Sequence, residues 1–168
     1  ENLPGELRRV YHLKTASCLE QVLAEKISDG YLAEIALHYV EGGAPEKAFE
    51  YLLKLGEKAV NIIANMQAID YLDKALEATQ KNANLATGEN LVEIYKLRGR
   101  AWLSQGEMAK ASNDFNLLLQ NATSIGDESM IAEAHYWLGY ALTWLGKRDE
   151  AKLHLTRALE IARKIGNK

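Results

Sequence analysis

A glycine followed five residues later by an alanine recurs three times, at Gly43 with Ala48, Gly106 with Ala111 and Gly146 with Ala151. Glycine tolerates the left-handed backbone that closes a helix, and alanine admits a close neighbour, so each pair reads as the end of one helix and the packed start of the next. Around the last two pairs the register is longer. Gly99 and Gly139 each precede the turn glycine by seven residues, and Phe115 and Leu155 each follow the alanine by four. This is a helix-turn-helix repeat. One such hairpin cannot bury its apolar face alone, so several must stack. Stacks of this kind build binding surfaces rather than reaction centres.

The rest of the composition agrees. The chain has 168 residues, 48% hydrophobic and 26% charged, which is enough for one continuous core. No window comes near the roughly 18 uninterrupted apolar residues of a membrane helix, and the start lacks the basic-then-apolar layout of a signal peptide. The expected compartment is the cytoplasm, with no membrane partner. A net charge of −3 with both signs interspersed leaves no basic face for a nucleic acid. A single cysteine, Cys18, excludes an internal disulfide framework and a thiolate metal cluster, and its helical setting reads as a small buried hydrophobe. The sequence begins at Glu1 rather than methionine, which reads as a piece of something longer.

Apolar residues recurring at three and four predict an all-α chain of about eight helices. The first spans 6–27, with a buried stripe ending in Leu19, Val22, Leu23 and Ile27, and is broken by Ser28, Asp29 and Gly30. A short helix over 31–41 runs into a turn at Gly42, Gly43, Ala44 and Pro45, where proline suits the first position of the next helix. That helix reaches about residue 63, and Asn65 is the expected cap of a fourth over 66–80, with Ala68, Leu72 and Ala75 on one face. The polar stretch 81–90 reads as a longer loop dividing an amino-terminal part, 1–80, from two long repeats over 91–168. Beyond it, helices are expected at 90–105, 107–123, 128–145 and 148–165.

Small residues at Gly99, Ala111, Gly139, Ala151 and Ala158 mark places where two helix axes approach, and Tyr95, Phe115, Leu118, Leu142 and Leu155 fill the remaining space. This pattern resembles the tetratricopeptide repeat. Tyr95 and His135 stand where that motif usually has tryptophan, its usual late proline is missing, and the 40 residues from Gly99 to Gly139 exceed its common period of about 34. The resemblance implies a right-handed superhelix of antiparallel helix pairs.

The amino-terminal part resembles the helical region that follows the nucleotide-binding module in large signalling ATPases, the adenylate-cyclase-linked and LuxR-type regulators. The resemblance rests on Leu7-Arg8-Arg9 with Tyr11-His12, on His38-Tyr39 before the double glycine, and on Glu46-Lys47-Ala48 followed by Tyr51-Leu52. It implies a regulatory role and no chemistry in this segment.

The residues themselves carry no reaction motif. No GxGxxG or GxxxxGK[ST] loop cradles a phosphate, no HExxH pair holds zinc, and no Gly-x-Ser-x-Gly elbow presents a nucleophile. The four histidines, His12, His38, His135 and His154, read as packed or surface residues. The chain is therefore expected to be no enzyme and to need no cofactor or metal. What remains is recognition of a protein or peptide. In stacked pairs the first helix of each lines the concave face, which offers Glu93, Lys96 and Arg100 from one repeat and Glu133, Tyr136, Tyr140 and Thr143 from the next. Basic side chains beside tyrosines suit a peptide with acidic groups. The readings are an interaction or regulatory module of a larger signalling ATPase, a stand-alone adaptor, or a sensor with a small effector in its groove.

The helix over 128–145 is apolar on nearly all sides, so Trp137 and Trp144 are expected to pack. On the last helix Ala151, Leu155, Ala158, Ala162 and Ile165 form the expected buried stripe. Leu153 and Ile161 are left on a face open to self-association.

Overall fold

A computed structural model describes residues 4–23 and 29–166. Among them are eight α-helices and no strand: α1 (Gly5–Leu23), α2 (Asp29–Gly42), α3 (Pro45–Asn61), α4 (Asn65–Lys81), α5 (Gly88–Ser104), α6 (Met108–Ile125), α7 (Glu128–Trp144) and α8 (Arg148–Gly166). Each packs antiparallel on the next, most closely within the hairpins α1–α2, α3–α4, α5–α6 and α7–α8. Odd-numbered neighbours also meet, α3 with α5 and α5 with α7, whereas even-numbered helices stand further apart. A stack curves toward the layer whose members are closer, so α3, α5 and α7 form its inner face.

The turns share one device. Gly43, Gly106, Gly126 and Gly146 have φ between 72° and 78°. In each turn the following residue donates its N–H to a carbonyl five residues back: Ala44 to Tyr39, Glu107 to Trp102, Asp127 to Ala122 and Lys147 to Leu142. This closure satisfies carbonyls that the helix end would leave orphaned. The turn between α3 and α4 closes identically, Ala64 N–H to Ala59 O at 2.8 Å, but its left-handed residue is Ile63, at φ 61°.

Ile63 reveals a repeat that the glycines hide. Gly56 lies seven residues before it, Ala68 five after and Leu72 four further on, which is the register of Gly99, Gly106, Ala111 and Phe115. The packing matches too. A Cβ on Gly56 would sit 2.7 Å from Leu72, one on Gly99 2.6 Å from Phe115, and one on Gly139 2.7 Å from Leu155. In each hairpin a glycine on the first helix receives a large side chain from the second.

Several expectations are corrected. Val22 is 75% exposed and Cys18 is exposed rather than buried, because α1 is the first helix of the described stack, packs mainly on α2, and buries Ala16. Ile27 and Ser28 lie outside the described residues. Asp29 and Gly30 start α2 instead of breaking the chain, and Gly42 is still helical. Asn65 is no cap: Ala64 holds that position without a side-chain bond, and Asn65 is the buried first residue of α4. The connection from α4 to α5 is only Asn82–Thr87 with a short 3₁₀ turn, Ala83–Leu85, and Thr87 caps α5 by accepting the Asn90 N–H.

Two polar clusters pin successive helices. Tyr39 of α2 and Tyr51 of α3 each donate a hydroxyl to the Glu20 carboxylate of α1 at 2.5 Å, and Lys47 adds an ammonium at 3.1 Å. Burial pushes the Glu20 carboxyl up, but these three donors outweigh it and hold its pKa below the usual range. Arg98 of α5 grips Asp114 of α6 through two bonds of 2.6 and 2.8 Å and Asp73 of α4 through a third of 2.6 Å. Asp114 is buried, and the fork of the guanidinium matches both its oxygens. Apolar packing falls into two clusters, and α5 belongs to both: Ile94, Leu97 and Ala101 to one, Val92 to the other, with Trp102 touching each.

Candidate functional site

The expected recognition residues all stand on the odd-numbered helices α5 and α7, but most are already engaged. Lys96 is ion-paired with Glu93, one turn away, so the two neutralise each other. Glu133 accepts the indole N–H of Trp137 at 3.1 Å, and the Thr143 hydroxyl donates to the Gly139 carbonyl at 2.9 Å. Arg100 differs: it is half-buried and makes no hydrogen bond or ion pair among the described residues. Its guanidinium is held by no carboxylate and its donors are left to solvent.

Tyr136 and Tyr140 extend into an aromatic row that includes a residue the sequence assigned to packing. Trp137 does pack, stacked on the buried Phe115 at 6.0 Å between ring centres. Trp144 is 66% exposed, the reverse of the expectation, since at the last turn of α7 no described helix covers it. Tyr136, Tyr140 and Trp144, spaced four apart along α7, form a stripe whose rings contact one another or Trp137. The signal was present as that four-residue spacing; the all-round apolar character of the helix obscured it.

The α7–α8 edge is open. Glu133 and Tyr136 border a hollow of about 390 Å³ floored by Leu155, Ala158 and Leu159, and Thr143 borders another of about 510 Å³ on the Arg148 side. Leu155 is 38% exposed and Ala162 exposed, so only Ala151 and Ala158 of the expected buried stripe are covered. Leu155, Ala158 and Ala162 correspond in repeat register to Phe115, Leu118 and Ala122 of α6, all buried beneath α7. Leu153 is 59% exposed and Ile161 half-buried. A further cavity of about 230 Å³ lies between α2 and α4, lined by Tyr39, Pro45, Ala48, Lys74, Glu77 and Lys81.

The histidines are not scattered. His12 faces His38, and His135 faces His154, each pair joining two consecutive helices. Burial, the neighbouring His154 and then Arg157 hold His135 below the usual imidazole range, while burial outweighs the pull of Glu150 to do the same for His154. Among the described residues no group of three His, Cys, Asp or Glu gathers as a metal site, and no helix is long and apolar enough to cross a membrane.

The comparisons agree with this architecture. The tetratricopeptide repeat profile matches residues 132–165, the α7–α8 hairpin. No curated protein matches the sequence. Among solved structures, the apo form of RapI aligns with 98% of this chain at a TM-score of 0.71 and 19% identity, and the chain spans 45% of RapI's length. BtubC from P. vanneervenii aligns over 98% of the chain and 79% of its own at a TM-score of 0.63 and 16% identity. MamA aligns over 100% and 99% at a TM-score of 0.55 and 22% identity. Identities this low speak for the fold alone, and that fold is a tetratricopeptide-like α-solenoid.

Proposed function

We propose that the chain is a non-catalytic protein-interaction module whose inner helices receive an acidic segment of a protein partner. The observation that carries this reading is Arg100, an unpaired, half-buried cation on the same layer as the Tyr136–Tyr140–Trp144 stripe. A guanidinium in that setting gains a carboxylate without breaking a bond of its own, and flat rings add contact area at low entropic cost. Lys96, Glu93, Glu133 and Thr143 would frame the segment while keeping their internal bonds.

An array of acidic peptides probed with the full chain tests this. Loss of one charge-assisted bond costs about 1.5–3 kcal/mol, so Arg100→Glu should weaken the best peptide about tenfold or more, while Arg163→Glu on α8 should leave it unchanged. Binding indifferent to Arg100→Glu, or a preference for basic peptides, overturns the reading.

We further propose that the module serves a cytoplasmic signalling ATPase as a regulatory arm, supported by the likeness of the Leu7–His12, His38-Tyr39 and Glu46–Leu52 segments to such proteins. A GxxxxGK[ST] loop after a strand in the upstream reading frame is the expected finding. Its absence from the complete frame would make the chain an adaptor.

A further inference from the structure

Every histidine of the chain, four in all, belongs to one of two pairs of the same geometry. His135 of α7 and His154 of α8 bring their Nδ1 atoms to 2.8 Å, with ring centres 5.0 Å apart and planes at 41°. His12 of α1 and His38 of α2 do the same at 2.7 Å, 5.0 Å and 44°. All four rings are half-buried. Each pair links the two helices of one hairpin, one at either end of the stack.

Two Nδ1 atoms this close cannot both carry hydrogen, so one ring donates and the other accepts. The N–H of one ring and the lone pair of the other lie along the line between the two nitrogens, and a turn of each ring would aim both lone pairs at one point between the helices. A divalent ion with nitrogen ligands at about 2.0–2.1 Å holds two of them about 2.9 Å apart at a right angle and about 3.3 Å apart at a tetrahedral angle. The observed gaps of 2.7 and 2.8 Å fall next to the first figure and well short of the second. A right angle is the preference of ions that favour square-planar or tetragonal donors, and imidazole suits them.

We propose that each histidine pair is a two-nitrogen chelate for a divalent transition ion of square-planar preference, Cu²⁺ foremost, which clamps the two helices of its hairpin together. No third His, Cys, Asp or Glu joins either pair among the described residues, so water completes the shell. The protons balance. The ring that had donated through Nδ1 takes its hydrogen on Nε2, both Nδ1 lone pairs then face the ion, and a neutral pair releases no net proton. Burial keeps His135 and His154 in the neutral form that a metal needs. Three carboxylates near the pairs in sequence are held elsewhere: Glu133, two residues before His135, by the Trp137 indole, Glu150, one turn before His154, by Lys147, and Glu41, three residues after His38, by Arg8.

The test is titration of the untagged full chain with Cu²⁺ at neutral pH, with glycine as competitor, read by electron paramagnetic resonance and by helical circular dichroism. About two tightly held equivalents are expected, one per pair, each with nitrogen hyperfine coupling from two equatorial imidazoles. His154→Gln should remove one equivalent and His38→Gln the other; His135→Gln repeats the first result from the opposite helix should His154→Gln disturb the fold. No tight copper, a signal without nitrogen coupling, or uptake unchanged in the folded His38→Gln/His154→Gln double variant overturns the proposal and leaves the pairs as proton-sharing contacts.

Discussion

Replacing Ile63 by glycine should stabilise this protein, although it deletes a branched apolar side chain. Ile63 is the only non-glycine with positive φ among the described residues and stands where the later repeats have Gly106 and Gly146. A residue with a Cβ pays about 1–3 kcal/mol in this conformation, and a β-branched one sits toward the upper end. Against that relief stand two losses. Glycine adds about 0.4–1 kcal/mol of disorder to the unfolded chain. The isoleucine is 75% exposed, so its truncation forfeits about a quarter of the 1.5–3 kcal/mol that full burial brings. The balance is a gain of about 1 kcal/mol, which for a chain of this size raises Tm by about 2–4 °C.

Its neighbour supplies the control. Ile62 is equally exposed, at 74%, but its φ is an ordinary −97°. Ile62→Gly suffers both losses with no strain to relieve and should lower Tm by a similar amount. Thermal unfolding of both variants by scanning calorimetry makes the comparison. Should Ile63→Gly lower Tm as far as Ile62→Gly does, the backbone at residue 63 is not strained and the shared turn register is wrong.

Arg98→Ala should cost about 3–5 kcal/mol in urea unfolding, since it strands the buried Asp114 carboxylate, whereas Arg98→Met with Asp114→Leu should recover most of that loss. A single-variant cost below about 1 kcal/mol would mean that water reaches Asp114. Stability should also fall with acid: His135 and His154 have native pKa values below the ordinary 6.5, so the unfolded chain takes protons first, and stability present above about 6.5 declines as pH drops through it. Tm measured across that range should flatten in His135→Gln/His154→Gln, and an unflattened profile would place the titration elsewhere.

The helices and the last two repeats were legible because their signals are local. Gly99 and Gly139 can be nothing larger under Phe115 and Leu155, and Gly106 and Gly146 suit a left-handed turn, so physics and spacing left the same mark. The repeat of α3 and α4 escaped because Ile63 tolerates the strain that glycine would advertise. Gly43 with Ala48 was read correctly as a turn, yet it joins two hairpins rather than closing one, a distinction that spacing alone does not carry. Asn65 misled because its residue type favours capping, while the five-residue backbone closure at Ala64 had already satisfied the helix end. At the site, side-chain identity was readable and side-chain occupancy was not: that Lys96 is spent on Glu93 and Arg100 on nothing depends on rotamers. The histidine pairs, 26 and 19 residues apart, have no spacing rule at all.

The double membership of α5 bears on how the molecule comes apart. In a linear stack, ends can fray while the middle stands, and melting spreads repeat by repeat unless one boundary is strong enough to bind the neighbours' fates together. Here Ile94 and Leu97 lie in one apolar cluster, Val92 in the other, Trp102 against both, and Arg98 reaches α4 and α6 at once. Loosening α5 strips both clusters together, so the two ends should share a single melting transition, with Trp102 at the junction as its fluorescent reporter once Trp137 and Trp144 are replaced by phenylalanine.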